Sequence, residues 1–357
     1  MHKIHSDNNN LVTGFAETRI GGRKENQDSY GWQETRHGYV VTVCDGMGGG
    51  PGGKTASTIA VKEIVAGIAE AAENEDTVNI LRKAVRRANM AIIEAGEQKP
   101  ALKGMGSTAT VLLLNEKSAF VAHVGDSRVY QLRGKKKIFR TFDHSVVFSL
   151  VAQGIITEEQ ARLAANSNVI TRALGVAADL EVDVVELPYE KGDRFVLTTD
   201  GIHGTMPEPE LVKLVSDHSR KLSAIINDIA VLVDDNGRTS GGNHDNLTIA
   251  IVETKTNSKL KPKMTKQTKL TFAGIVALLV ISVVLNIVQC NSSATRADTS
   301  DYTDSLQTLN DSVAHQAEVI STQHTALNDI AEQVNGMTWD NVGTSVDSIK
   351  KIINKGN

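Results

Sequence analysis

The chain has 357 residues, 38 Lys+Arg against 42 Asp+Glu, a formal net charge of −4, and 40% apolar and 22% charged residues. These proportions exclude a disordered or collagen-like chain. Two cysteines exclude a disulfide framework or a cysteine-rich metal site, and 4% aromatic residues are too few for a base-stacking nucleic-acid surface, so no nucleic-acid partner is expected.

Residues 1–10, MHKIHSDNNN, read as a flexible N-terminus without an apolar signal segment. From residue 11 to 254 short apolar segments bounded by turn formers alternate in blocks with helical patterns. In chain order the pattern predicts a strand over Gly38–Cys44, then long helices over Thr55–Glu73 and Thr77–Glu97. Strands follow over Thr108–Leu114, Ala119–Val124, Arg128–Leu132, Glu181–Leu187 and Arg194–Thr199. Helices over Leu211–Val215 and Ala224–Val233 precede a closing strand, Leu247–Val252. Strands grouped with strands and helices with helices predict an α+β domain of antiparallel sheets faced by helices. Ile59, Ile64 and Ile68 recur at helical spacing and read as core, and Cys44, in an apolar strand, as a packed thiol rather than a nucleophile.

Beyond this domain the character changes. Residues 255–269 carry six lysines and no acid, and Leu270–Val288 (270–288) carries no charge. At about 1.5 Å per residue such a helix just spans a hydrocarbon core of about 30 Å. The lysines before it orient 1–269 to the cytoplasm and 291–357 outside, as a single-pass inner or plasma membrane protein, and the lysines and the span both contact lipid. Cys290 reads as an unmodified boundary residue. In the tail, Leu306, Val313, Ile320, Leu327 and Val334 recur every seven residues, with Leu309 and Ile330 as companions and Gln316 and Gln323 as polar layers. This heptad over 306–334 fits a coiled-coil homodimer, or equally one amphipathic helix folded on the tail or the membrane surface.

The chemistry shows where strands end in aspartates. Asp45-Gly46 follows Val40–Cys44, Asp200-Gly201 follows Phe195–Thr199, Gly125-Asp126 follows Val121–Val124, and Asp245 opens the last strand. Singly, each Asp-Gly is a turn signal before it is a ligand. Together they offer carboxylates and glycine-adjacent carbonyls of the kind Mg²⁺ or Mn²⁺ takes. Spacing alone leaves the reaction unnamed. No glycine-rich loop with Lys-Ser/Thr is present, which excludes a P-loop nucleotide hydrolase.

Eight segments occur in a recognisable order: Arg23-Lys24-Glu25-Asn26-Gln27-Asp28, Asp45-Gly46-Met47-Gly48-Gly49, Gly106-Ser107-Thr108-Ala109, Gly125-Asp126-Ser127-Arg128, Asp143-His144-Ser145, Ile170-Thr171-Arg172-Ala173-Leu174-Gly175, Thr199-Asp200-Gly201 and Asp245-Asn246-Leu247-Thr248. Over residues 11–254 the chain resembles the bacterial PPM, type-2C-like, metal-dependent protein serine/threonine phosphatases. The resemblance implies a four-layer α-β-β-α sandwich with a two-metal centre of Mn²⁺ or Mg²⁺ at one end. It implies that a metal-bridging hydroxide attacks phosphoserine or phosphothreonine of cytoplasmic proteins in line, opposing a cognate serine/threonine kinase. By motif, Asp45 looks like the carboxylate bridging both metals, the Gly46 carbonyl like a ligand of one, and Asp200 and Asp245 like ligands of the other. Asp28 is similar to the acid that orients the attacking water, Arg23 to the guanidinium that holds phosphate, and Asp126 to the ligand of a third, weaker metal shared with Asp200. Residues 146–169 correspond to a mobile flap, and His144 and Arg172 to structural members of their motifs.

Three departures stand out. Met47 replaces the histidine that serves eukaryotic relatives as general acid, Gly50 and Lys54 replace the His and Glu of many bacterial ones, and Gln27 replaces a eukaryotic Glu. Leaving-group protonation therefore falls to water at the metal centre, with His203 and His244, beside metal motifs, as outside candidates. The competing function is a non-catalytic phosphoprotein-binding or signalling module of an envelope receptor, against which the intact Arg23, Asp28, Asp45, Asp200 and Asp245 set argues.

Overall fold

In the computed structural model the residues described are 2–4, 11–48, 52–164 and 166–260. The strands are β1 (His2–Ile4), β2 (Val12–Arg19), β3 (Ser29–Thr35), β4 (Gly38–Cys44), β5 (Gly46–Met47), β6 (Gly106–Ser107), β7 (Ala109–Leu114), β8 (Ala119–Val124), β9 (Arg128–Arg133), β10 (Lys136–Arg140), β11 (Asp183–Leu187), β12 (Arg194–Thr198) and β13 (Leu247–Thr254). The helices are α1 (Gly52–Glu70), α2 (Thr77–Gln98), α3 (Val146–Ala152), α4 (Glu158–Leu163), α5 (Asp200–His203), α6 (Glu208–Val215) and α7 (Leu222–Thr239).

One antiparallel sheet runs β1-β2-β13-β12-β9-β10 and the other β11-β8-β7-β4-β3. Strands β4, β7 and β8 are buried on both faces, which is why they read as unbroken apolar runs. Their alternate side chains serve two cores. Val40, Val111, Leu113 and Ala122 pack on Ala56, Ala60, Ile64 and Ile68 of α1 and on Leu81, Val85 and Ala88 of α2. Val41, Val43, Leu112 and Val121 meet Phe195, Leu197, Ala250 and Val252 of the facing sheet. The outer face of that sheet, with Val196, Ile249 and Ile251, is covered by Ile202 of α5, Leu211 of α6 and Ile225, Ile229 and Val233 of α7. The order of layers is thus helices, sheet, sheet, helices, the expected α-β-β-α sandwich.

Residues 146–164 carry a small apolar cluster, in which Val147 and Phe148 of α3 pack with Ala161 of α4. Each helix starts on a side-chain cap. Ser145 accepts from the Phe148 N–H, and Thr157 with Gln160 closes a capping box.

At both ends the ordered domain extends beyond the 11–254 read from the sequence. Of the ten N-terminal residues expected to be flexible, His2–Ile4 adds an antiparallel edge strand to β2, whose outer backbone groups would otherwise lack partners. At the other end the domain runs past residue 254. The N–H of Lys255 donates to the Leu11 carbonyl (2.6 Å), that of Ser258 to Tyr189 (2.8 Å) and that of Leu260 to Lys117 (2.7 Å). The expected span at 270–288, the heptad at 306–334 and most of the lysine-rich stretch lie outside the described residues. Among the described residues no helix is long and apolar enough to cross a membrane.

Candidate active site

The acids come from strand ends. Asp45 follows β4, Asp126 lies in the turn that carries the chain from β8 in one sheet to β9 in the other, Asp200 opens α5 directly after β12, and Asp245 precedes β13. These ends meet. Arg23, Asp45, Gly46, Asp126, Asp200 and Asp245 line one cavity of about 520 Å³, joined by Gln27, Met47 and, from the end of the flap and just beyond it, Asn168 and Ile170. Asp28 does not line it. It is fully buried, where its Oδ2 accepts the hydroxyls of Thr199 (2.9 Å) and Thr248 (2.6 Å).

Backbone scaffolding explains the motifs. The Asp45 N–H donates to the Thr108 hydroxyl oxygen (2.9 Å), the Thr108 N–H to the Asp45 carbonyl (2.8 Å), and the Ser107 hydroxyl to that same carbonyl (3.0 Å). The Thr108 and Ser127 hydroxyls bond at 2.7 Å, tying the Asp45 loop to the Asp126 turn. Asn246 staples the Arg23 loop. Its Oδ1 accepts from the Gln27 N–H (2.8 Å), and its amide donates to the carbonyls of Ile20 (2.7 Å) and Glu25 (2.9 Å). At Gly46 a Cβ would fall 2.0 Å from the Gly53 carbonyl oxygen, so only glycine lets the start of α1 pack here and leaves the backbone open to the cavity.

The electrostatics are those of an anionic cluster short of positive charge. Burial, with the charges of Asp200 and Asp245, pushes Asp28 up to about 7 despite two donated hydrogen bonds. Burial and then the charges of Asp28 and Asp200 push Asp45 well above the usual carboxylate range, and burial with Asp200 does the same to Asp126. Asp200 is pushed up to about 6 by burial and Asp245. The Arg23 Nη2 reaches only the Asp245 Oδ2 (2.9 Å), at the exposed rim. Asp28 Oδ1 and Asp200 Oδ1 are buried with no hydrogen-bond partner. Unpartnered buried carboxylate oxygens cost several kcal/mol unless a cation meets them. The donors around the cavity are carboxylates and a carbonyl, with no histidine or cysteine among the described lining residues, a set that suits Mg²⁺ or Mn²⁺ and not zinc. The residues fit the metals.

Neither outside candidate for the general acid lines the cavity. His203 is buried, its Nδ1 3.1 Å from the Thr198 hydroxyl, and burial drives its pKa well below the ordinary value. His244 pairs its Nε2 with Asp234 (3.0 Å) on α7. Cys44 is packed in the core, its thiol pushed up to about 12 by burial. Sequence reasoning missed the individual work of Thr108, Thr199, Asn246 and Thr248, which are visible beforehand only as members of the recurring motifs.

The description of protein phosphatase 2C matches residues 17–236. The chain is 32% identical over 235 residues to the serine/threonine phosphatase Stp of Listeria monocytogenes, covering 65% of this chain and 91% of that one. It is similar in structure to the S. agalactiae serine/threonine phosphatase, with 30% identity and a TM-score of 0.61 over 68% of this chain and 100% of that one. It is likewise similar to the catalytic domain of the serine/threonine phosphatase PstP in complex with two manganese ions, at 28% identity and a TM-score of 0.57 over 69% of this chain and 99% of that one. With the acids and their scaffold in place and the family matched over residues 17–236, the chain belongs to the protein phosphatase 2C family.

Proposed function

We infer that this chain is a Mn²⁺- or Mg²⁺-dependent protein serine/threonine phosphatase acting on phosphorylated serine and threonine of other proteins. The observation that carries this reading is the meeting of Asp45, Gly46, Asp126, Asp200 and Asp245 on one cavity with Arg23 at its rim and two buried carboxylate oxygens unpartnered. In this reading Asp45, the Gly46 carbonyl, Asp200 and Asp245 would hold two cations, with Asp45 common to both, and Asp126 with Asp200 would hold a third. The cations, when bound, acidify water and neutralise the phosphoryl oxygens. The protein does the rest. Arg23, planar and tethered on one side by Asp245, turns its remaining N–H groups to the phosphate in a bidentate pair. Thr199 and Thr248 hold the buried Asp28 by its Oδ2, which fixes the acid whose remaining Oδ1, without a partner, would orient the attacking water. No described histidine lines the cavity, so the leaving alkoxide takes its proton from water.

Phosphate release by the full chain from a phosphothreonine peptide is expected only with Mn²⁺ or Mg²⁺ present. Arg23→Ala should raise KM by roughly tenfold to a hundredfold with kcat within a few-fold. A folded, metal-loaded protein without turnover would shift the reading to a phosphoprotein-binding module.

We also propose that residues 270–288 anchor the protein as a single span in the inner or plasma membrane, with 1–269 cytoplasmic. Support comes from nineteen uncharged residues behind six lysines, which would also favour anionic lipid. The heptad at 306–334 supports a homodimer of the outer tail. A phosphatase of this specificity presupposes a serine/threonine kinase that places the phosphate. Mixed with vesicles and spun through a density gradient, the full chain is expected to float and to resist alkaline extraction, and a chain lacking 270–288 to remain at the bottom. Equal recovery of both in the soluble fraction would remove the anchor.

A further inference from the structure

His144 lies where the flap begins, in the segment between β10 and α3, and makes contacts that the catalytic reading does not use. Its N–H donates to the Gly125 carbonyl (2.8 Å), and the Gly125 N–H donates back to its Nδ1 (3.1 Å). Its carbonyl accepts from the Thr171 N–H (2.8 Å) at the end of the flap, where Ser145 and Ile170 also form a bridge. Its Nε2 faces the Asp183 Oδ2 (3.0 Å) on β11, and the Arg172 Nη1 bonds the Asp183 Oδ1 (3.0 Å) 3.3 Å from that same Nε2.

His123, His144 and Asp183 offer ligand atoms within 4.8 Å of one another, and His123 Nε2 is buried without a partner, which suggests a second cation site. The hydrogen bonds argue otherwise. A backbone N–H on Nδ1 requires a lone pair there, so the neutral ring carries its proton on Nε2, where it donates to Asp183. A cation at Nε2 would need both ring nitrogens bare, beside a guanidinium already in contact.

The ring instead holds a turn. Gly125 has φ +103 and packs so tightly that a Cβ would fall 2.7 Å from the Thr108 side chain, whose hydroxyl secures Asp45 and Ser127. The turn is pinned on one side by Thr108 and on the other by His144, and its next residue is Asp126. Rotation of the Val124–Gly125 peptide would break the Nδ1 bond and swing the Asp126 carboxylate. We propose that His144, oriented by Asp183 and Arg172, is a positioning residue that sets the Gly125–Asp126 turn and so the affinity of the cation held by Asp126, and joins that turn to both ends of the flap. The proposal rests on the reading of Asp126 as a cation ligand.

The test is Mn²⁺ binding to the full chain, followed by calorimetry and by the electron paramagnetic resonance signal of free Mn²⁺, alongside KM and kcat. Asparagine places Oδ1 where the histidine has Nδ1, and glutamine matches only the Nε2 end. His144→Asn is therefore expected to keep the weakest Mn²⁺ class within about threefold of the parent, and His144→Gln to weaken it about tenfold while the tighter class stays unchanged. Asp126→Asn should abolish the weakest class, and adding His144→Gln should then change nothing further. Asp183→Ala, at a half-exposed site, provides the same reading if His144→Gln does not fold, with an expected loss of about threefold in that class. A weakest class that survives Asp126→Asn would overturn the assignment of Asp126, and the proposal with it. A class lost in Asp126→Asn but unmoved in His144→Gln, or in Asp183→Ala should His144→Gln not fold, would overturn the proposal alone.

Discussion

Asp45→Asn is expected to lower kcat/KM for a phosphothreonine peptide by about a thousandfold while making the metal-free protein more stable. The loss follows from position. Asp45 leaves the end of β4 at the centre of the cluster, and burial together with Asp28, Asp200, Asp126 and Asp245 raises its carboxyl. An amide there removes one unit of negative charge from the centre of the proposed cation site. Cations that stabilise a transition state by several kcal/mol correspond to about three decades in rate. The gain has the same origin. Without metal the buried carboxylates repel one another, and an amide relieves the repulsion and offers an N–H to a site where the Asp200 Oδ1 has no partner. Thermal melts in chelator should therefore rise for the variant, and melts in excess Mn²⁺ should favour the parent. Activity in Asp45→Asn equal to the parent would remove Asp45 from the metal centre.

The acids of this site are legible in the sequence because each stands at the end of an unmistakable strand. Strands β4, β8 and β12 are covered on both faces, so their apolar runs are continuous and their ends sharp. Of the edge strands, β11 is read from the sequence as part of Glu181–Leu187, but β3 and β10 are not legible in this way. β3 has three consecutive exposed residues, Trp32, Gln33 and Glu34, and β10 begins with Lys136, Lys137 and Ile138 in solvent, so neither shows a core periodicity. Helices α3 and α4 escape notice because they are short and share only a small apolar cluster, with Phe148 closed off by Phe142 and the guanidinium of Arg128 rather than by a sheet face. The scaffold of the site is hidden for a different reason. Thr199 and Thr248 meet Asp28 across 171 and 220 residues of chain, and no local pattern marks a hydroxyl for such a partner. Adjacency also misleads. His203 is three residues from Asp200, yet its ring turns to Thr198 in the buried interior and away from the cavity.

The stabilisation that Mn²⁺ confers is expected to grow with pH between about 5 and 8. In the metal-free protein Asp28 and Asp200 titrate near 7 and 6, against an ordinary aspartate value of 3.8 in the unfolded chain. The folded state therefore binds more protons than the unfolded one, and stability falls as pH rises from the unfolded value through the folded ones. Buried histidines work in the opposite direction. His123 is depressed to about 3 by burial and His203 lies well below its ordinary value, so each destabilises the folded state at low pH and ceases to do so above about 6.5. That contribution is common to the metal-free and metal-loaded proteins and cancels in their difference. What remains is the competition of cations with protons for the cluster. From Asp28 and Asp200 over pH 5 to 8 it amounts to about 4 kcal/mol, or about 10 °C in Tm for a domain of this size. Surface carboxylates are ionised by pH 5, so cations bound there would give a gain that hardly changes above it. Melting curves with and without Mn²⁺ at half-unit pH steps distinguish the two cases. A flat difference would place the cations away from Asp28 and Asp200, whatever the activity assay reports.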